Sequence, residues 1–148
     1  MNLNLKYLSF VCCKHTDVGY HPLTDALLRT NTLKHLMLFT TSCPSARYIE
    51  GIMSLPLHSL NFNGSLSAIN TQERDEIYKV ISEKISKHKT ITSLSLRNNG
   101  VSVQEASVII KNLEGNLVMK ELCIINNDKY KLNKLSSSLI HTFLERNT

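Results

Sequence analysis

The chain has 148 residues, 42% apolar, 20% charged and 6% aromatic, a balance that suits a folded domain and excludes wholesale disorder. Its 17 basic and 12 acidic side chains leave a formal net charge of +5, well short of a histone-like tail. No apolar run reaches the ~18 residues of a membrane-spanning helix, and the one compositional outlier is leucine, present 22 times against 5 Gly and 3 Pro.

In chain order, the start does not read as a secretory signal, because Lys6 interrupts the apolar run and no small-residue cleavage site follows. LKYLSFVCC, from Leu5, is the first strand-like segment. PLTDALLRT (Pro22 to Thr30) then predicts a helix with Leu23, Ala26 and Leu27 on one face. LKHLMLFTT follows from Leu33, and Pro44 to Met53 has room for a short helix around Ala46, Ile49, Ile52 and Met53. After LHSLNFNGS from Leu57, Gln72 to Lys89 predicts a helix burying Ile77, Val80, Ile81 and Ile85. Its acidic start and basic end complement the helix dipole. ITSLSLRNN begins at Ile91. Ser102 and Glu105 then form a capping-box pattern ahead of a helix burying Ala106, Ile109, Ile110 and Leu113. MKELCIINN begins at Met119. A last helix over 131–145, built on Leu135, Leu139, Ile140 and Phe143, is expected to cap the C-terminal end.

The five nine-residue segments share one frame, L-x-x-L-x-L-x-x-N/C/T/S. Positions one, four and six are apolar in all five, and the intervals between starts are 28, 24, 34 and 28 residues. Repetition at this period, strand then helix, resembles the leucine-rich-repeat family, and within it the ribonuclease-inhibitor class. The ninth position keeps the family's Asn at Asn99 and Asn127. Cys13, Thr41 and Ser65 stand there in the other repeats, where looser bends are expected. The resemblance implies one α/β solenoid over 1–148: a horseshoe arc with a parallel sheet on the concave side and helices on the convex side. The short array and its Asn/Lys/Ile-rich wording also resemble effector proteins of intracellular bacteria, which implies delivery into a host cytosol.

Strand parity sends positions four and six into the core and three, five and seven onto the concave face. Position three is Tyr7, His35, Ser59, Ser93 and Glu121. Position five is Ser9, Met37, Asn61, Ser95 and Cys123. Position seven is Val11, Phe39, Asn63, Arg97 and Ile125. Such faces are extended binding surfaces. The gathering of Tyr7, His35, Met37 and Phe39 predicts a hot spot for another protein, with Arg97 and Glu121 as a charged second one. The competing readings are Phe39 and Met37 folded over the sheet edge as satellite core, a solvated His35, and an ordinary adjacent-strand ion pair between Arg97 and Glu121.

Catalysis is not expected. Cys123 and His35 lie three strands apart in this arrangement, about 14 Å at 4.8 Å per strand, and no Gly-rich phosphate loop exists. No cofactor is called for. Cys12, Cys13, Cys43 and Cys123 make neither a disulfide framework nor a zinc set, so reduced thiols in an intracellular, reducing compartment are expected. The three concave rows carry one Arg and no Lys, which argues against nucleic acid. The sequence thus predicts a non-catalytic protein-binding module, and the family resemblance sharpens its role to holding and inhibiting an enzyme. The rival expectation is a structural protein that stacks through its uncapped first strand. A basic nucleic-acid module ranks behind both.

Overall fold

The computed structural model describes residues 4–13, 17–39, 45–66 and 70–124. Strands and helices alternate: β1 (Tyr7–Val11), α1 (Asp17–Thr30), β2 (His35–Phe39), α2 (Ala46–Ile52), β3 (Ser59–Asn61), α3 (Thr71–Lys87), β4 (Ser93–Ser95), α4 (Val103–Leu113) and β5 (Glu121–Cys123). The strands form one parallel sheet in the order β1-β2-β3-β4-β5. Its register pairs Tyr7 with His35, His35 with Ser59, Ser59 with Ser93 and Ser93 with Glu121, so the unequal intervals read from the sequence are the true steps of the sheet. The predicted cap helix over 131–145, Asn127 and Thr41 lie outside the described residues.

The core follows from the frame. Leu8, Leu36, Leu60, Leu94 and Leu122 are register partners in one column. Leu36, Leu60, Leu94 and Leu122 are at most 6% exposed, and position one (Leu33, Leu57, Ile91, Met119) and position six (Leu38, Phe62, Leu96, Ile124) are equally buried. Ile49, Ile52, Ile77, Ile81, Ile85, Ala106, Ile109, Ile110 and Leu113 close over them from the helices. The first repeat differs. Leu5, Leu8 and Phe10 are only partly buried, since β1 is the sheet's outer edge.

Two helix faces depart from expectation. α1 begins at Asp17, with Pro22 inside it, and from Pro22 onward Thr24 and Leu27 are buried while Ala26 is exposed. Thr24 turns inward because α2 presents Gly51 there: a Cβ on Gly51 would lie 2.6 Å from the Thr24 methyl group, so only glycine permits this approach. In α3, Val80 is half-buried, and Tyr78 and Ser82 take the inner positions. Both have polar partners: Tyr78 Oη donates to the Asn99 carbonyl at 3.3 Å, and Ser82 Oγ accepts from Asn112 Nδ2 at 2.6 Å. The capping box at Ser102 forms as predicted, while α2 and α3 start from caps at Ser45 and Asn70.

The turns repeat as strictly as the strands. Position eight has positive φ in each repeat where it is described: 53° at Cys12, 69° at Gly64 and 59° at Asn98. At position nine, Asn99 Nδ2 donates to the Phe62 carbonyl at 2.8 Å, and Ser65 Oγ donates to the Leu38 carbonyl at 2.6 Å. Each bond reaches the position-six carbonyl of the preceding repeat. Serine therefore makes the bend expected to be looser. Asn99 makes a second bond as well: its Oδ1 accepts from the Leu66 N–H at 2.8 Å.

A second set of side chains closes the helix-to-strand turns, three residues ahead of the frame. Asn116 Oδ1 accepts from the N–H groups of Val118 and Met119 at 2.8 and 2.9 Å. In the preceding repeat His88 Nδ1 accepts from Thr90 and Ile91 at 3.2 and 3.0 Å. The ring proton is therefore on Nε2, toward the Leu55 and Met53 carbonyls. Burial holds the imidazole below the ordinary histidine value, and those two carbonyls pull the other way. Below that ordinary value, near pH 6.5, the unfolded chain takes up a proton that the folded chain resists. The His88 contribution is thus complete above this pH and is lost as pH falls toward the lower folded value. Urea midpoints between about pH 7.5 and 5 should fall, and His88→Asn, which copies Asn116, should flatten the His88 part of that slope.

Candidate functional site

One face of the sheet is packed under the helices, and among the described residues no element covers the other. The alternation is visible along β2, where Leu36 and Leu38 are buried and Met37 is 37% exposed. On β1 the outward residues are more exposed, Tyr7 at 69% and Val11 at 54%. Register sets Tyr7 beside His35, and their rings stack with centroids 4.3 Å apart and planes within 4°. His58 stands one residue ahead of β3, and its ring centroid is 6.5 Å from that of His35, tilted by 34°. These side chains edge a groove of about 440 Å³ across β1, β2 and β3, lined by Tyr7, Leu8, Ser9, His35, Leu36, Met37, Ser59 and Asn61.

Six residues expected on the open face therefore meet in one hollow: Tyr7, Ser9, His35, Met37, Ser59 and Asn61. The others do not join them. Val11 and Phe39 are register partners at the far ends of β1 and β2, and Phe39 is half-buried. It does not line the groove, because it lies two residues beyond Met37, past the stretch where β3 runs alongside. Asn63 belongs to a bend: its N–H donates to Asn61 Oδ1 at 2.9 Å, and its Oδ1 accepts from Asn98 Nδ2 at 2.9 Å. Ser95 and Cys123 are register partners on β4 and β5, half-buried and outside the hollow. The expected Arg97–Glu121 pair does not form. Glu121 is opposite Ser93, and Arg97 lies beyond the end of β4, four residues along the chain. Ile125 lies outside the described residues. His58, which the sequence reading passed over, had one signal: it precedes Ser59, the register partner of His35.

Among the described residues no group of three or more His, Cys, Asp or Glu is placed to hold a metal ion. His35 and Cys123 sit on β2 and β5 with two strands between them, about 14 Å apart at the usual strand spacing and beyond proton-transfer reach. Cys13 and Cys123 are free thiols. No helix among the described residues is long and apolar enough to cross a membrane. A second hollow of about 400 Å³ lies on the helix side, between α3 and α4, lined by Tyr78, Ser82, Val108 and Asn112 among others. Burial, and then the neighbouring Glu105 carboxylate, push the Tyr78 phenol well above its ordinary value, so it stays a hydrogen-bond donor there.

No family model and no curated protein matches the chain. Solved structures do. A structure described as leiomodin-1 actin-binding site 2 superposes with a TM-score of 0.73 at 17% identity, covering 99% of this chain and 82% of that one. The C-terminal domain of tropomodulin from Caenorhabditis elegans gives 0.70 at 17% identity, covering 99% and 86%. These likenesses overturn the ribonuclease-inhibitor and bacterial-effector resemblance, and nothing in them carries enzyme inhibition or delivery into a host cell. That class resemblance rests on a regular alternation of strand and helix, whereas the steps of 24 and 34 residues between β2, β3 and β4 are far from uniform. The fold is thus the leucine-rich-repeat-like sheet-and-helix array seen in leiomodin-1 and in the tropomodulin C-terminal domain.

Proposed function

We propose that the chain is a non-catalytic protein-binding module that takes a partner protein on its open sheet face, working inside the cell with its thiols reduced. The observation behind this reading is the groove over β1 to β3, where an exposed Tyr7 stacks on His35 beside Met37. Aromatic and Met side chains over a rigid sheet, rimmed by Ser9, Ser59 and Asn61, have the anchor-and-rim chemistry of a protein contact. Actin is the first defined probe, because the leiomodin-1 structure is described as an actin-binding site. The test is sedimentation and anisotropy with monomeric and filamentous actin, alongside affinity capture from the producing cell. Tyr7→Asp with Met37→Asp should weaken binding at least ~100-fold, the loss of a hot spot, while the melting temperature barely moves. Unchanged binding by the double variant would refute the reading.

A second reading, self-association through β1, has its own observation: Leu5, Leu8 and Phe10 are only partly buried at an open sheet edge. Light scattering at high concentration decides it, since a monomer excludes edge pairing.

A further inference from the structure

On the reading above, that the open face takes a protein, we infer that the contacted part of the partner is an acidic polypeptide segment. It would lie across the strand starts and seat an apolar side chain on the Tyr7–His35 stack. The charge for this comes from motif position two, which is Lys6, Lys34, His58, Thr92 and Lys120 along the sheet. Their backbones are pinned by one repeated pattern. The Lys6 carbonyl accepts from the N–H groups of Lys34 and His35, and the Lys34, His58 and Thr92 carbonyls serve the next repeat in the same way. Side chains are therefore presented at steps of about 4.8 Å, and Lys6 to Lys120 spans roughly 19 Å, the length of about six extended residues.

Three observations assign the sign and the class of ligand. Lys6, His58 and Lys120 are exposed and Lys34 is half-buried. Among the described residues the ion pairs are Arg74–Glu105 and Lys84–Glu50, both in the helix layer, so no carboxylate of the described chain neutralises this row. Within the five repeat segments the only acidic residue is Glu121, while Lys6, Lys34, Arg97 and Lys120 are basic. Among the described residues the other acids lie on and beside the helices, which leaves the described sheet side net positive and complementary to an acidic partner. The row also meets the groove. His58, at position two of its repeat, approaches the ring of His35, at position three of the one before. A segment crossing the strand starts thus touches the cations and the hollow together. A polypeptide fits better than a single-stranded nucleic acid, because Tyr7 and His35 stack on each other instead of holding apart a slot for bases, and the hollow offers the small polar groups of Ser9, Ser59 and Asn61.

The test is fluorescence anisotropy with three labelled probes: an eight-residue peptide of Asp and Glu around one Phe, the same peptide with Asn and Gln, and a short oligothymidylate. The acidic peptide should bind the native chain at least about ten-fold tighter than its neutral twin at low salt, and lose that margin near 0.5 M salt. Lys6→Glu with Lys34→Glu should remove the margin. Lys6→Glu with Lys120→Glu, both at exposed sites, should do the same and covers the case in which Lys34→Glu disturbs folding. Equal binding of the neutral peptide, insensitivity to either charge reversal, no peptide binding, or tighter binding of the oligonucleotide would overturn the inference. If protein capture survives the charge reversals yet fails in the Tyr7→Asp, Met37→Asp variant, the acidic-segment inference falls and the protein-binding face stands. If the Tyr7→Asp, Met37→Asp variant captures as before, the face itself is misplaced.

Discussion

Asn99→Ala should lower the unfolding free energy by about 2–4 kcal/mol, measured by urea denaturation, without changing the strand order. Asn99 is fully buried and works in two directions. Its Nδ2 donates to the Phe62 carbonyl at 2.8 Å and its Oδ1 accepts from the Leu66 N–H at 2.8 Å. Alanine leaves a backbone acceptor and a backbone donor of the preceding repeat without these partners in a dry bend, and each such group costs about 1–3 kcal/mol. Asn99→Ser should recover part of the loss, because Ser65 makes the donating bond at the equivalent place. Asn99→Asp should be worse than alanine near neutral pH, since it replaces the donor with a buried carboxylate. The neighbouring Asn98→Ala should cost less, about 1 kcal/mol, set mainly by placing alanine at a φ of 59°, since Asn98 is exposed and its amide donates to Asn63 Oδ1. A neutral Asn99→Ala would mean that the bends are not held by position nine.

The strand frame was legible because a parallel sheet with one covered face imposes a rigid code. Positions one, four and six must be apolar, and each one-residue slip would expose the whole set. That code identifies Leu36, Leu60, Leu94 and Leu122 as one column without reference to the helices. It also brings Tyr7, Ser9, His35, Met37 and Asn61 to one face, since parity and register together fix which side chains are neighbours. Its reach ends with the strands. β3, β4 and β5 have three residues each, so at position seven the chain has already entered the bend. Asn63 and Arg97 therefore stand in the bends that follow β3 and β4 and not in the strands themselves. His88 and Asn116 escaped notice because no single motif joins a histidine to an asparagine, although both stand three residues ahead of a frame start and accept the same pair of N–H groups. Helix faces were read less well for a similar reason: the inward turn of Thr24 depends on Gly51, a residue of another helix. The class of repeat protein is not legible because the strand motif is common to many such arrays.

Phe62→Ala and Phe10→Ala, two substitutions at the same motif position, should differ sharply in cost. Phe62 on the β3 side is fully buried and flanked by β2 and β4, and its truncation should cost about 3–5 kcal/mol through lost burial and the cavity left behind. Its backbone is held independently, by the N–H bond to the Ser95 carbonyl at 2.9 Å and by Asn99 at its own carbonyl, so the surroundings collapse little around the void. Phe10 sits on the edge strand, half-buried, with one strand beside it instead of two. Water can fill the space it leaves, and its removal should cost roughly half as much or less, because less apolar area is lost. Parallel urea titrations of the two variants measure the difference, with Phe62→Leu expected to be much milder than Phe62→Ala. Equal costs would show that β1 is covered in solution on its outer side. In that case the Phe10→Ala cost should fall on dilution if the cover is a second copy of the chain, and stay constant if it is the chain itself.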